Sequence, residues 1–499
     1  MNHSYTHSTL SMEIIKTTRG GDKLCLDGFM YVKKRTYSNW IRWNCARSRT
    51  TGCKGALTTS DSFEDPRSFV SHNHPADQTG VEVTKLRTTM KAQAKQSRSR
   101  PNQILTQALL QASTEVRANL GSVQTCKRDL QRQRRGRLPK DPASLQELVI
   151  PDEWTTTGEV NPQPFLIHDS GPGQRQRVVV YASEEQLRHL GRSDTWFMDG
   201  NFSMSPSVFE QLYVIRAPLG DSAVSCVYAF LSGKSAQVYQ ELLQAVLDKM
   251  EAMQIYPDPR VVVTDFELAA IQSVSLVLGP QVTTHGCFYH LTQSTWRKIQ
   301  ELGKTEDYRN NEEVKHFCGM LDGLAFLPED QVQQGMVYLR DHTPAGMEPL
   351  LEYFDSIYVT GSFRRVQQGP VQPGGPLPPL RVRNIPPRFA VPVWNVHEVT
   401  LEGRDRTNNI CEGWNTSFAQ LVGHHHPSFW TAVDGLRRDY ALVSTNLLQY
   451  ARGRPIKKRQ RRDHQQHQKH LQSLCQDFVA ERRTLTDFLQ AVGHCIRLG

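Results

Sequence analysis

The stretch that decides the fold of the larger part of this chain is DTWFMDGNFSMSP, residues 194–206. The apolar run WFM ends in an acid and a turn, which is the pattern of a buried strand with Asp199 near its carboxyl end. A second apolar run, VVVTD, ends in Asp265. Singly, such an acid is often only a helix cap, and this alternative is strong for Asp265, which directly precedes ELAAIQ.

The segments around these two acids alternate between strand and helix patterns. VFEQLYVIRAPLG (208–220) and DSAVSCVYAFLSG (221–233) predict two strands joined by a turn at Gly220. Apolar residues at helical spacing predict a helix over 235–253, and residues 260–300 predict strand, helix, strand and helix. Three strands followed by this alternation predict an α/β domain, in which helices pack on a mixed sheet.

Residues 22–77 predict a small β-rich module that carries a metal site. Cys45 and Cys53 are separated by seven residues, and His72 and His74 follow as H-x-H. Two thiolates and two imidazoles suit a closed, structural zinc site, and alternate residues of an extended segment share one face. The alternative is two unrelated thiols and a surface histidine pair.

The same module resembles the FLYWCH-type zinc finger, with the domain expected over 12–78. The matching residues are Phe29, Met30 in place of Leu, Tyr31, Trp43, Cys45 and His72 or His74. The resemblance implies DNA or protein binding and structural Zn²⁺, which would supply much of the folding energy of so small a module. The candidate phosphate contacts are the basic residues Lys33, Lys34, Arg35, Arg42, Arg47 and Arg49.

Four segments of the α/β region, together with VWNV (393–396), resemble the transposase domain of Mutator-like elements (MULE). They are FMDGNF (197–202), VVVTDFELAAIQSV (261–274), GCFYHLTQSTWRKIQ (286–300) and DRTNNICEGWNTSF (405–418). The resemblance implies a ribonuclease-H-like, DDE-type fold and a catalytic triad of Asp199, Asp265 and Glu412. Three such carboxylates suit two Mg²⁺ or Mn²⁺ ions in phosphodiester displacement. Asn408 and Asn409 are expected to cap the helix that carries Glu412.

Cys287 and His290 match the C-x-x-H motif of the same family, with His285 nearby. This motif is either a second metal or DNA contact, or packing for the adjoining helix. The MULE domain is expected over 151–440. Its core covers about 190–303, a helical and proline-rich insertion about 304–400, and the helix with the third acid about 405–425. The proline-dense segment 364–389 predicts a surface loop.

The rest of the chain is more polar. Residues 79–150 predict a basic, partly helical linker, either solvated or DNA-contacting, and residues 441–499 predict a basic, helical tail whose last residues pack weakly. Basic runs lie at 91–100, 127–140 and 452–462, and the last is either a nuclear localisation signal or a solvated surface. The His/Gln-rich piece after it, from residue 463, is either a solvated helix or a metal site. No long apolar stretch predicts a membrane span.

The whole sequence therefore predicts a multidomain protein of 499 residues with a net charge of +9. Its ten dispersed cysteines indicate thiols or metal ligands rather than a disulfide framework. The function expected is that of a nuclear, DNA-binding transposase that acts in recombination, with homo-oligomers during transposition. The alternatives are a domesticated DNA-binding or adaptor protein with an idle scaffold, and a nuclease that acts on RNA. The intact triad favours the enzyme.

Overall fold

The computed structural model describes residues 12–16, 21–96, 101–135, 138–367, 380–403, 409–454 and 462–497. The chain divides into two compact units, Met1–Lys140 and Asp141–Gly499. The fold is thus multidomain, with a β-rich amino-terminal module and a later α/β region. Within the described ranges, no helix is long and apolar enough to cross a membrane.

The first unit begins with a six-stranded antiparallel meander in which each strand pairs with the next. Alternate side chains of the fourth strand are buried, so that Trp43 lies in the core and donates a 2.9 Å hydrogen bond to Thr59. The strands are β1 Met12–Lys16, β2 Asp22–Leu26, β3 Phe29–Thr36, β4 Trp40–Cys45, β5 Ala56–Ser60 and β6 Arg67–Val70.

Four helices complete this unit: α1 Gln78–Gln96, α2 Pro101–Leu110, α3 Thr114–Asn119 and α4 Val123–Arg135. Ile104, Leu105, Leu120 and Leu130 lie in a buried cluster shared by these helices. The segment expected to be a solvated linker therefore has a core of its own. The sequence pattern concealed this core because each short helix contributes only a few apolar residues, and Leu110 at the end of α2 is exposed.

The second unit is built on a seven-stranded sheet in the order β13-β12-β9-β10-β11-β8-β7. Strands β9, β10 and β11 are antiparallel neighbours, whereas β12 and β13 run parallel to β9. The carboxyl ends of β9, β11 and β12 therefore lie at one edge of the sheet. The elements are β7 Leu166–Asp169, β8 Val178–Tyr181, α5 Glu184–Gly191, β9 Thr195–Asn201, β10 Gln211–Leu219, β11 Ser222–Leu231, α6 Ala236–Ala252, β12 Val261–Thr264, α7 Leu268–Val277, β13 Thr283–Gly286 and α8 Phe288–Glu301.

A largely helical region follows the sheet. Its elements are α9 Thr305–Asn310, α10 Glu312–Gly323, α11 Val332–Asp341, α12 Glu348–Phe354 with a π-helical turn Asp355–Val359, β14 Ser362–Gln367, β15 Leu380–Ile385, α13 Val391–Trp394, α14 His397–Leu401, α15 Asn409–Val422, α16 Phe429–Ala451, α17 Arg462–Val479 and α18 Leu485–Arg497. β14 and β15 pair as an antiparallel ribbon, so that the flanks of the predicted proline-rich loop are strands. Residues 368–379 of that segment and most of the basic run 452–462 lie outside the described residues.

The carboxyl-terminal segment is helical, as predicted, but it is not a weakly packed tail. Phe488 and Val492 of α18 are fully buried in the same cluster as Phe317 and Leu321 of α10. Arg497 donates a 3.0 Å hydrogen bond from Nε to the fully buried Asp322. Helix α18 therefore contributes to the core of the second unit.

Candidate zinc centre and candidate acidic site

Cys45, Cys53, His72 and His74 come together in the first unit. Their candidate ligand atoms all lie within 4.8 Å of one another. Cys45 Sγ is 3.3 Å from His74 Nε2, and Cys53 Sγ is 3.4 Å from His72 Nδ1. One cysteine ends β4, the other lies in the turn before β5, and both histidines follow β6. The alternative of unrelated thiols and histidines is therefore excluded.

The contacts around this cluster suit a bound zinc ion. The backbone N–H groups of Arg47 and Gly55 each donate a 3.3 Å hydrogen bond to the sulfur of Cys45 and of Cys53, respectively. Such hydrogen bonds favour the thiolate, which is the form of cysteine that binds a metal.

The histidine rings are oriented by contacts on their far sides. His72 Nε2 lies 2.8 Å from Tyr31 Oη, and His74 Nδ1 lies 2.9 Å from the carbonyl oxygen of Pro75. When these nitrogens carry the protons, the other nitrogen of each ring is free to bind a metal. Phe29 also stacks on His72 at a centroid distance of 3.9 Å. The four side chains thus fit a structural Zn²⁺.

The basic residues predicted to contact phosphates differ in their solvent exposure. Lys33, Lys34, Arg35, Arg42 and Arg49 are exposed, whereas Arg47 is half-buried and paired with Asp77. Arg35 and Arg42 lie directly opposite each other on β3 and β4. Like charges at opposed positions are unfavourable unless an anion lies near them.

The two aspartates of the second unit lie at the same edge of the sheet. β12 pairs with β9 in parallel, with Val263 opposite Phe197. Continuing this register places Asp265 opposite Asp199. Helix α7 begins at Leu268 after Glu267, which makes no side-chain capping bond. Asp265 is therefore not the cap of α7, and the capping alternative is wrong.

Helix α15 brings Glu412 to the same edge. The Asn415 Nδ2 group, one turn beyond Glu412, donates a 2.8 Å hydrogen bond to Asp199 Oδ2. Asn201 Nδ2 in turn donates a 2.8 Å hydrogen bond to Asn415 Oδ1. On the other side of the helix, Trp414 Nε1 donates to Asp439 Oδ2 at 2.9 Å. These bonds fix the rotation of α15 relative to the sheet.

The electrostatics of the three carboxyl groups reflect this proximity. Burial, opposed by the Asn415 hydrogen bond and reinforced by the charges of Asp265 and Glu412, raises the pKa of Asp199 to about 7. Burial also raises the pKa of Asp265 and that of Glu412, although His290 and then Lys234 lower the pKa of Asp265. Asp199 is therefore within electrostatic reach of both Asp265 and Glu412.

The carboxylates are nevertheless more widely spaced than the zinc ligands. Among the described residues, the Cys/His cluster is the only set of three or more candidate ligands whose donor atoms all lie within 4.8 Å of one another. The buried Oε1 of Glu412 accepts no hydrogen bond from a described residue. An unpaired buried carboxylate oxygen is costly unless a ligand approaches it, and carboxylate oxygens are of the donor type that hard divalent cations prefer.

The C-x-x-H motif lies beside this edge. Cys287 is buried at the start of α8, and its backbone N–H donates a 2.8 Å hydrogen bond to the Thr264 carbonyl. His290, in the first turn of α8, is close enough to lower the pKa of Asp265. His285 lies on β13 opposite Val263. Cys287 is therefore buried beside the end of β12, and His290 lies within electrostatic reach of Asp265.

Sequence reasoning missed several contributors to the site. Asn415 lies within DRTNNICEGWNTSF but has no predicted role, although its spacing of three from Glu412 places both on one helix face. Asn201, Lys234 and Glu267 carried no sequence signal, because their relation to the acids depends on how the loops meet at the sheet edge. Asn409 begins α15, and Asn408 lies outside the described residues.

Comparison with known families gives two matches. Residues 14–74 match the FLYWCH zinc finger domain, and residues 195–294 match the MULE transposase domain. The second match includes Asp199, Asp265, Cys287 and His290, and it ends before Glu412. No curated protein matches the chain. Both resemblances inferred from the sequence are therefore confirmed: a segment similar to the FLYWCH zinc finger is followed by one similar to the MULE transposase domain.

Proposed function

We propose that this chain is a transposase-like DNA-binding protein whose second unit cleaves and joins DNA strands. The observation that carries the proposal is the convergence of Asp199, Asp265 and Glu412 from three distant segments at one sheet edge. The charges of Asp265 and Glu412 both raise the pKa of Asp199. A purely structural cluster of this kind destabilises the fold, because like charges repel in a poorly solvated site.

The strand order supports a ribonuclease-H-like core over about 190–303. Three antiparallel strands are followed by two parallel strands, and β9 and β12 are neighbours. On this interpretation the helices of residues 304–400 are an insertion between the second and third acids, within a domain spanning 151–440. The elements from α9 to α14 are mostly short helices, which is consistent with such an insertion.

The chain's residues would divide the work as follows. Asp199, Asp265 and Glu412 hold two Mg²⁺ or Mn²⁺ ions, which supply Lewis-acid activation of the attacking oxygen and stabilisation of the leaving oxygen. Asn415 holds Asp199 in place, and Asn201 holds Asn415. Because burial raises the pKa of Asp199 to about 7, this carboxyl group would hold a cation in its ionised form and would give up its proton to do so.

The zinc module would bring the second unit to its DNA. Lys33, Lys34, Arg35, Arg42 and Arg49 are the exposed basic residues available for phosphate contact. Both matched domains support DNA as the partner and a nuclear location, to which the basic run 452–462 would contribute as an import signal. Homo-oligomers during strand transfer complete the proposal.

A cleavage assay tests the enzymatic part of this proposal. Purified full-length protein is incubated with labelled terminal-repeat DNA in Mg²⁺ or Mn²⁺, with wild type compared to Asp265→Ala. We expect cation-dependent nicking that the variant loses. Equal signal from both proteins would leave the domesticated DNA-binding or adaptor protein as the function.

A separate measurement tests the zinc centre. Bound zinc per chain is determined for wild type and Cys45→Ser by elemental analysis of the purified proteins. We expect the variant to lose one equivalent, because three remaining ligands hold the ion poorly. Unchanged zinc content would exclude the ligand set Cys45, Cys53, His72 and His74.

A further inference from the structure

An exposed aromatic ring and an exposed ammonium group lie together beside the acidic edge. Phe202 directly follows β9 and is 42% exposed. Lys234 lies in the loop between β11 and α6, and its Nζ is 3.9 Å from the centroid of the Phe202 ring. Because β9 and β11 end at the same edge of the sheet, this pair flanks the site of Asp199 and Asp265.

Lys234 lies near the acidic residues but forms no ion pair with them. Its charge lowers the pKa of Asp265 and of Glu267, so that the ammonium lies within electrostatic reach of both carboxylates. It makes no ion pair with any residue in the described part of the chain. The ammonium group therefore keeps hydrogen-bond donors available for an external acceptor.

An exposed aromatic ring with an ammonium group over it stabilises itself only weakly in water, and the same two groups suit a nucleotide. Single-stranded nucleic acids are bound by aromatic side chains that stack on bases and by cations that contact phosphates. An acidic edge repels the phosphate backbone, so a cation placed there offsets part of that repulsion. The contact between Phe202 and Lys234 supplies both the aromatic ring and the cation.

We propose that Phe202 and Lys234 form a nucleotide-binding subsite, in which Phe202 stacks on an unpaired base and Lys234 contacts the phosphate of a DNA strand. This inference rests on the proposed function, since it places the strand next to the acids. The subsite favours frayed or single-stranded DNA at the point of cleavage, because a paired base presents no open face to the ring.

The test uses full-length, zinc-loaded protein and a forked oligonucleotide duplex with 2-aminopurine in its single-stranded arm beside the junction. Ca²⁺ replaces Mg²⁺ so that binding is followed without the Mg²⁺ reaction. We expect wild type to quench the 2-aminopurine fluorescence, Phe202→Ala to lose most of this quenching, and Phe202→Trp to keep it. The control is Tyr256→Ala, because Tyr256 is an exposed aromatic residue at the opposite edge of the sheet.

The charge contribution is measured on the same oligonucleotide. Lys234→Ala should weaken binding and reduce the slope of log affinity against log salt by about 0.7, the value for one single-strand phosphate. Lys249→Ala is the matched control, since Lys249 lies at the far end of α6. Thermal unfolding and zinc content of each variant establish that it is folded.

The outcomes separate this inference from the proposed function. Quenching that survives in Phe202→Ala, an unchanged salt slope in Lys234→Ala, or no quenching by wild type would each overturn the subsite. Quenching without Mg²⁺-dependent cleavage would leave the subsite standing and remove the enzymatic proposal. Mg²⁺-dependent cleavage without the quenching of 2-aminopurine would remove the subsite and leave the enzymatic proposal standing.

Discussion

Asp439 is predicted to hold the helix that carries Glu412 against the sheet. It lies in α16 and is 8% exposed. Its Oδ2 accepts hydrogen bonds from Trp414 Nε1 on α15, at 2.9 Å, and from Tyr228 Oη on β11, at 2.6 Å. One carboxylate oxygen thus joins two helices and the central sheet.

Asp439→Leu removes the carboxylate that accepts from both buried donors, Trp414 Nε1 and Tyr228 Oη. Each unpaired donor costs about 1–3 kcal/mol, and loss of the buried charge offsets part of the total. We expect the free energy of unfolding of the second unit to fall by about 3 kcal/mol. The matched control is Asp434→Leu, which removes a largely buried ion pair with Arg438 on the same helix and should cost less than Asp439→Leu, because Arg438 still donates a hydrogen bond to the Leu421 carbonyl.

Urea unfolding followed by tryptophan fluorescence measures both variants, with the transition of the second unit analysed separately because the chain has two units. A double variant provides the decisive comparison. Adding Tyr228→Phe to Asp439→Leu removes one of the stranded donors and should recover about 1 kcal/mol. The reasoning is refuted if Asp439→Leu costs no more than Asp434→Leu, or if the double variant is less stable than the single one.

Three further predictions follow from the same structure. Gly55→Ala should lower the zinc content, because a Cβ at this position would lie 2.5 Å from His72 Nδ1, and metal analysis measures the loss. Asp199→Asn should stabilise the protein in magnesium-free buffer by about 2 kcal/mol more at pH 8 than at pH 5. The reason is that a folded-state pKa of about 7 makes the wild type lose stability as the pH rises above the usual aspartate pKa. An equal gain in the free energy of unfolding at pH 5 and pH 8, measured by chemical unfolding, would contradict this. Arg497→Met should destabilise the second unit by about 3–5 kcal/mol in urea unfolding, because it leaves the fully buried Asp322 without its counter-charge; a change under about 1 kcal/mol would show that α18 is loosely held.

Much of the site was predictable because its signals are local in sequence. A buried strand that ends in an acid is visible as VVVTD, and a zinc ligand set is visible as two cysteines followed by H-x-H. The helix of Glu412 was expected from its family resemblance, and the structure has that helix over Asn409–Val422. The packing of the basic and glutamine-rich segments was not predictable, since residues 79–135 and 462–497 bury small apolar patches that composition averages out.

By itself, the sequence predicted the order of strands and helices over residues 194–300, the four candidate zinc ligands and the two acids that end apolar runs, because each depends on the periodicity or spacing of neighbouring residues. The third acid, Glu412, came from the family resemblance. Only the tertiary structure decided that Asn415 bonds Asp199 across 216 residues, that Lys234 lies over Phe202, and that α18 belongs to a core. These contacts join segments that lie far apart along the chain, so no local sequence pattern predicts them. They are set by the register of the sheet and the packing of helices upon it, which the whole chain determines together.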